Sequence, residues 1–201
     1  MAMRRRVAWL ALIVALVTIG CTETQPTKFY ILSAETAPTG DAIPRGPKTP
    51  VVGVANVALP GYLDRPQIVS RTSANAMDID EFHRWAEPLD SLFTRILAQN
   101  LSGNLGRDAI VELAGNRSGS FDYLVEIDVL RFDSEAKERA VLDARWRLVD
   151  AARERVISRG QVIADEPIDA PGDYEAVVAA MSRAEAVLSR EIAAAIKAKP
   201  R

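Results

Sequence analysis

The 201-residue sequence holds one cysteine, Cys21, and one histidine, His83, and only 6% of it is aromatic. A lone cysteine forbids any disulfide within the chain and any Cys-x-x-Cys metal or redox centre. One histidine and one cysteine also disfavour a zinc site. His83 has no G-x-S-x-G elbow to serve, and its place between Phe82 and Arg84 in an extended stretch suits a structural or surface role. The string "GNRSG" at 115–119 lacks the lysine and the flanking strand and helix of a phosphate-cradling loop. Asp78, Asp80 and Glu81 come without the glycine and downstream glutamate of a calcium loop, and in a strand the two aspartates share one solvated face. The expectation is a chain with no catalytic residues and no metal ligands.

What is present begins at the N-terminus. Arg4, Arg5 and Arg6 precede an apolar run over residues 7–19, closed by Gly20 and Cys21. A basic start, a short apolar core and a small residue before the break make a secretory signal over residues 1–20. The run falls short of the roughly 20 apolar residues a spanning helix needs. The string "VTIGC" at 17–21 resembles the bacterial lipobox, with threonine where leucine is usual. The resemblance implies that Cys21 is the lipid attachment site and that this covalent lipid is the only non-protein group. Each buried methylene contributes about 0.8 kcal/mol, so several acyl chains make a durable anchor. Thr22, where aspartate would favour the inner membrane, implies the outer membrane, facing the periplasm.

Without residues 1–20 the three arginines are gone, leaving 22 basic residues against 27 acidic ones, a net charge of −5. An acidic domain with no basic run is a poor nucleic-acid binder. Residues 21–28 read as a lipidated tether and residues 29–201 as a single domain, long enough for a packed core.

Along that domain, "FYIL" (29–32) reads as a strand, and the prolines at 38, 44, 47 and 50 make residues 33–50 a loop. "VVGVANVAL" (51–59), "QIVSRT" (67–72) and "NAMDIDEFHRWA" (75–86) read as further strands. Leu89, Leu92, Phe93, Ile96, Leu97, Leu101 and Leu105 then repeat at helical spacing, with Pro88 suited to the first turn and Gly106 to the end. After a short strand at 109–113, the segments 121–132, 140–150 and 155–164 alternate apolar and polar residues as an antiparallel meander does. Its polar face carries Asp143, Arg145 and Arg147, a candidate contact between subunits, and Trp146 points to the core. A last helix over 174–198 has Val177, Met181, Ala184, Leu188, Ile192 and Ile196 as its stripe, with Asp173 as N-cap. The expected fold is α+β, a mixed, largely antiparallel sheet with two amphipathic helices packed on one face.

Two stretches carry a family resemblance. "VGVANVALPGYLDRPQIVSR" (52–71) and "HRWAEPLDSLFTRILAQNLSGNL" (83–105), with the lipobox and the early strand, resemble the PqiC/YmbA-type ABC-transport auxiliary lipoproteins. The resemblance implies a non-enzymatic outer-membrane lipoprotein subunit of an MCE-type ABC lipid transport system, supporting envelope integrity. It implies an MCE-domain periplasmic protein as partner and a homo-oligomeric ring. A second class compatible with the same residues is a lipoprotein that activates a peptidoglycan synthase or scaffolds another envelope complex. A third, a periplasmic hydrolase, would have to rest on His83.

Within the first stretch, Pro60 and Pro66 bracket a stiff loop that displays Tyr62, Leu63, Asp64 and Arg65. Tyrosine and arginine are enriched in interface hot spots, and with Trp85 these residues form a candidate partner interface. The alternative is that Asp64 and Arg65 lock the loop to its own domain, Tyr62 caps the core and Trp85 packs beneath the first helix.

Overall fold

The computed structural model describes residues 25–35, 49–114 and 121–199. Cys21 with its lipobox, the prolines at 38, 44 and 47, and the stretch 115–119 lie outside the described residues. The strands are β1 (Lys28–Tyr30), β2 (Val51–Val54), β3 (Gln67–Ser73), β4 (Ala76–Trp85), β5 (Ile110–Leu113), β6 (Tyr123–Glu135), β7 (Arg139–Asp150) and β8 (Arg155–Pro167). The helices are α1 (Leu89–Leu105) and α2 (Tyr174–Lys197).

All eight strands join one mixed sheet in the order β1-β4-β3-β6-β2-β5, with β7 on the other side of β6 and β8 beyond it. The long pairings, β3 with β4, β6 with β7 and β7 with β8, are antiparallel, and those of β1, β2 and β5 are parallel. Thus the α+β expectation holds. Strand β6 is long enough to serve both halves: its start pairs with β2 and its end, at Ser134 and Glu135, with β3.

Both helices bury the stripes their periodicity predicts. Each fully buried leucine or phenylalanine contributes roughly 1.5–3 kcal/mol, and Phe93 of α1 meets Phe132 of β6 edge to face at 5.1 Å. Pro88 stands one place before the first turn, as N-cap, where its carbonyl accepts from Leu92 N–H. Gly106 ends α1 at φ 54°, a left-handed conformation open to glycine. Asp173 caps α2 by accepting from Glu175 N–H at 3.0 Å. Helix α2 lies over β7 and β8 and against α1. Among the described residues no helix is long and apolar enough to cross a membrane.

One expected strand is shorter than its valine content suggests. Residues 51–59 form a ladder only over Val51–Val54. Ala55 and Ala58 still bond to β6, but the Val57 amide leaves the sheet and donates to Thr94 Oγ1 of α1 at 3.2 Å. Burying Val57 beneath the helix, at 5% exposure, wins over continuing the ladder.

Candidate functional site

The two prolines predict a stiff loop at 60–66, and the backbone shows how it is held. Gly61–Leu63 form a single 3-10 turn, closed by Leu63 N–H to the Pro60 carbonyl and Asp64 N–H to that of Gly61. The far end is tied to β4, where Trp85 N–H donates to the Pro66 carbonyl at 2.7 Å.

Tyr62 anchors the loop to the sheet. Its hydroxyl donates to Asp133 Oδ2 at 2.9 Å and accepts from Phe132 N–H at 3.3 Å. That amide is available because β6 has a register shift between Val129 and Arg131. Asp133, fully buried, also receives Arg71 Nη2 at 3.2 Å and Arg131 Nε at 2.9 Å. Burial and the nearby Asp133 charge push the Tyr62 phenol up to about 12, so it stays a donor at physiological pH.

Leu63, Asp64, Arg65 and Trp85 come together on the other side of the loop. They line a cleft of about 600 Å³ between the loop and the start of α1. Leu63 and Trp85, 3% and 4% exposed, lie in its floor with Leu89, while Asp64 is exposed on the rim. Arg65 is half-buried, and its Nε is shielded from solvent with no acceptor among the described residues. A buried donor left unpaired costs about 1–3 kcal/mol. Glu87, also on the rim, is already paired with Arg95. The cleft therefore offers an apolar floor, an exposed carboxylate and a half-buried guanidinium, a combination that suits docking of another chain.

Nothing comparable gathers around His83. Its ring stacks on Tyr174 at 3.9 Å, lies 5.8 Å from Tyr30, and has Nδ1 3.1 Å from Asp80 Oδ1 in an approach too bent for a good hydrogen bond. Lys137 covers the Tyr174 ring at 4.8 Å and pairs with Asp78. Burial raises the Asp80 carboxyl, but the adjoining His83 ring, the bond from Phe82 N–H and the adjoining Tyr174 hydroxyl outweigh it and hold the pKa below the usual range. The cluster pins β1, β4 and the start of α2 together. Among the described residues no group of His, Cys, Asp or Glu is arranged to hold a metal.

Trp146 lies in the core, 4% exposed, and donates to Glu191 Oε1 at 3.0 Å. On the opposite, open face of the sheet Arg147 pairs with Glu126 at 2.9 Å, and Gln161 donates to Asp143 at 2.7 Å. Sequence reasoning missed two buried acids, Asp133 and Glu185. Asp133 lies just past the expected strand at 121–132, and no local pattern shows that Tyr62 and Arg71 close over it.

A family model described as ABC-type transport auxiliary lipoprotein component matches residues 30–193, a span that includes both walls of the cleft. The chain belongs to this family. It is 27% identical over 141 residues to the intermembrane transport lipoprotein PqiC of Escherichia coli (strain K12), covering 70% of this chain and 73% of that protein. The crystal structure of an uncharacterized protein superposes with a TM-score of 0.70 at 23% identity, covering 86% of this chain and 99% of the other. A protein from Xanthomonas campestris superposes at 0.64 with 20% identity, covering 82% and 92%. At these identities the two crystal structures speak for the fold.

Proposed function

We propose that the chain is a non-enzymatic, lipid-anchored subunit of an MCE-type ABC transport system that moves lipid between the two membranes and supports envelope integrity. Cys21 carries the lipid and holds the domain at the periplasmic side of the outer membrane. The domain associates with itself and receives an MCE-domain protein at the cleft formed by Leu63, Asp64, Arg65 and Trp85. Membership of the auxiliary lipoprotein family and the likeness to PqiC support the transport role. The feature that carries the docking role is the cleft of about 600 Å³ in which the half-buried Arg65 and the exposed Asp64 stand beside an apolar floor. A partner segment laid along the cleft would cover the exposed parts of Asp64 and Arg65, and arginine is enriched among hot-spot residues.

The test is light scattering on a sizing column, with the mature protein alone and mixed with the MCE-domain protein of its own system. The expected result is a larger mixed species that Arg65→Glu weakens at least tenfold. A mature protein that ignores the MCE-domain protein at every concentration overturns the reading.

A further inference from the structure

The first strand breaks a pattern that the long strands keep. Strand β7 turns Asp143, Arg145 and Arg147 to the open face of the sheet and buries Ala144 and Trp146 on the other. Around β1, at the edge of the sheet, both faces are apolar. Leu32 is 1% exposed and the Tyr30 ring lies 5.8 Å from that of His83, so these two turn inward. The alternate residues, Phe29 and Ile31, turn outward and stand 65% and 53% exposed. Hydrophobic side chains exposed singly are ordinary. Among the described residues, Phe29 and Ile31 are the only exposed large hydrophobic residues that stand two apart in sequence.

Both residues are held where they are. Strand β1 pairs with β4, the Tyr30 carbonyl accepts from Ala86 N–H at 2.9 Å, and Ser33 N–H donates to Ser182 Oγ of α2 at 3.1 Å. Neither Phe29 nor Ile31 can turn inward without drawing Tyr30 and Leu32 out of the core. In register Tyr30 stands opposite Trp85 and Phe29 opposite Arg84. Residues opposite each other share a face, so Phe29 and Ile31 point away from the Trp85 side of the strand pair.

The chain that precedes them decides what covers them. Gln25, the first described residue, follows closely on Cys21, which carries the lipid in the proposed function. Extended chain spans at most about 3.6 Å per residue, which puts Gln25 within roughly 14 Å and Phe29 within roughly 29 Å of the anchored cysteine. We infer that Phe29 and Ile31 seat in the lipid surface beside that anchor and fix the domain against the membrane at the β1 edge of its sheet. The anchor keeps the bilayer within reach at all times, whereas any other partner has to arrive by diffusion. Apolar side chains on such a surface sink about 5–10 Å into the boundary between headgroups and acyl chains. Lys28 is exposed and the Arg84 guanidinium partly so, and both flank the pair where long basic side chains reach headgroup level. The acyl chains limit how far the domain can stray, and the two side chains set how it faces the membrane. The inference rests on the Cys21 anchor in the proposed function but uses neither the transporter nor the cleft.

Nitroxide labelling of the mature protein in vesicles of phosphatidylethanolamine and phosphatidylglycerol tests it. With Cys21 acylated, the only free thiol is the one introduced by Phe29→Cys, Ile31→Cys or, as a control on the far edge strand, Ile163→Cys. All three side chains are exposed in the protomer, so the fold tolerates the label. Power saturation compares collisions with oxygen, which concentrates in lipid, and with a nickel chelate, which stays in water. The labels at 29 and 31 favour oxygen several-fold, and the label at 163 favours the chelate. Adding Phe29→Asp to Ile31→Cys abolishes the preference at 31, because a carboxylate resists transfer out of water. Labels at 29 and 31 that meet the chelate as freely as the one at 163 overturn the inference. So do labels shielded from both reagents, which report coverage by protein, a second copy of the chain included, and so does a preference at 31 that survives Phe29→Asp. Failure of the anchor reads differently: a wild-type protein that takes up label has a free Cys21, and the anchoring then falls together with this inference.

Discussion

Asp133 shows how much of this fold depends on a few polar atoms. Its carboxylate has no exposed surface and is held by Tyr62, Arg71 and Arg131. Tyr62→Phe keeps the ring and removes a donor from a buried carboxylate and an acceptor from the Phe132 amide. Leaving buried groups unpaired costs about 1–3 kcal/mol, so the urea midpoint should fall by that equivalent. The Leu63 and Arg65 amides should exchange faster, since the loop loses its tie to β6. An unchanged midpoint would mean that water replaces the phenol at no cost. Sequence reasoning reached the loop because prolines at both ends and a tyrosine-leucine-aspartate-arginine run are local signals. It could not choose between inward and outward Tyr62, because Asp133 lies in a distant strand.

The elements were legible where their period is long and regular. The stripe of α1 and the alternation of β7 each run over enough residues that one face must be buried. The break in residues 51–59 was not legible, since Val57 answers to Thr94 on a helix that starts thirty-odd residues later. The backbone of the β6–β7 hairpin turn was not legible either. Ala136 and Lys137 hold φ of 49° and 57° in a turn closed by Glu138 N–H to the Glu135 carbonyl at 2.9 Å. Such positions favour asparagine or glycine, and an alanine there costs about 1–2 kcal/mol. The surroundings impose it: Ala136 N–H bonds to Arg71, and Lys137 reaches Asp78 and Tyr174. Ala136→Asn should therefore stabilise the protein, by about 0.5–1 kcal/mol of that strain. Lys137→Gly should gain little, because relief of strain is offset by loss of the ion pair and the ring contact. Thermal melts of the two variants would separate these cases, and equal gains would remove Lys137 from the account.

Across the whole molecule the two helices meet through a polar seam that periodicity alone would have filled with leucine. Glu185 sits on the buried face of α2, fully enclosed, with Oε2 accepting from Asn100 Nδ2. Asn100 in turn accepts from Glu35 N–H at 2.9 Å, so one cluster joins α1, α2 and the chain after β1. Burial raises the Glu185 pKa to about 8; the bond from Asn100 and the Arg190 charge oppose this, and the Glu35 charge adds to it. An unfolded glutamate titrates near 4.5. Between those values the folded chain holds a proton that the unfolded chain has released, so this group's contribution falls as pH rises. It is fully present below about pH 4.5 and lost as pH climbs through about 8. Glu185→Gln keeps the shape and the acceptor for Asn100 but has nothing to titrate. Urea midpoints from pH 5 to 8.5 should show the variant close to wild type at pH 5 and progressively more stable above it. Parallel curves would mean that Glu185 is ionised throughout, and that Asn100 and Arg190 together outweigh its burial.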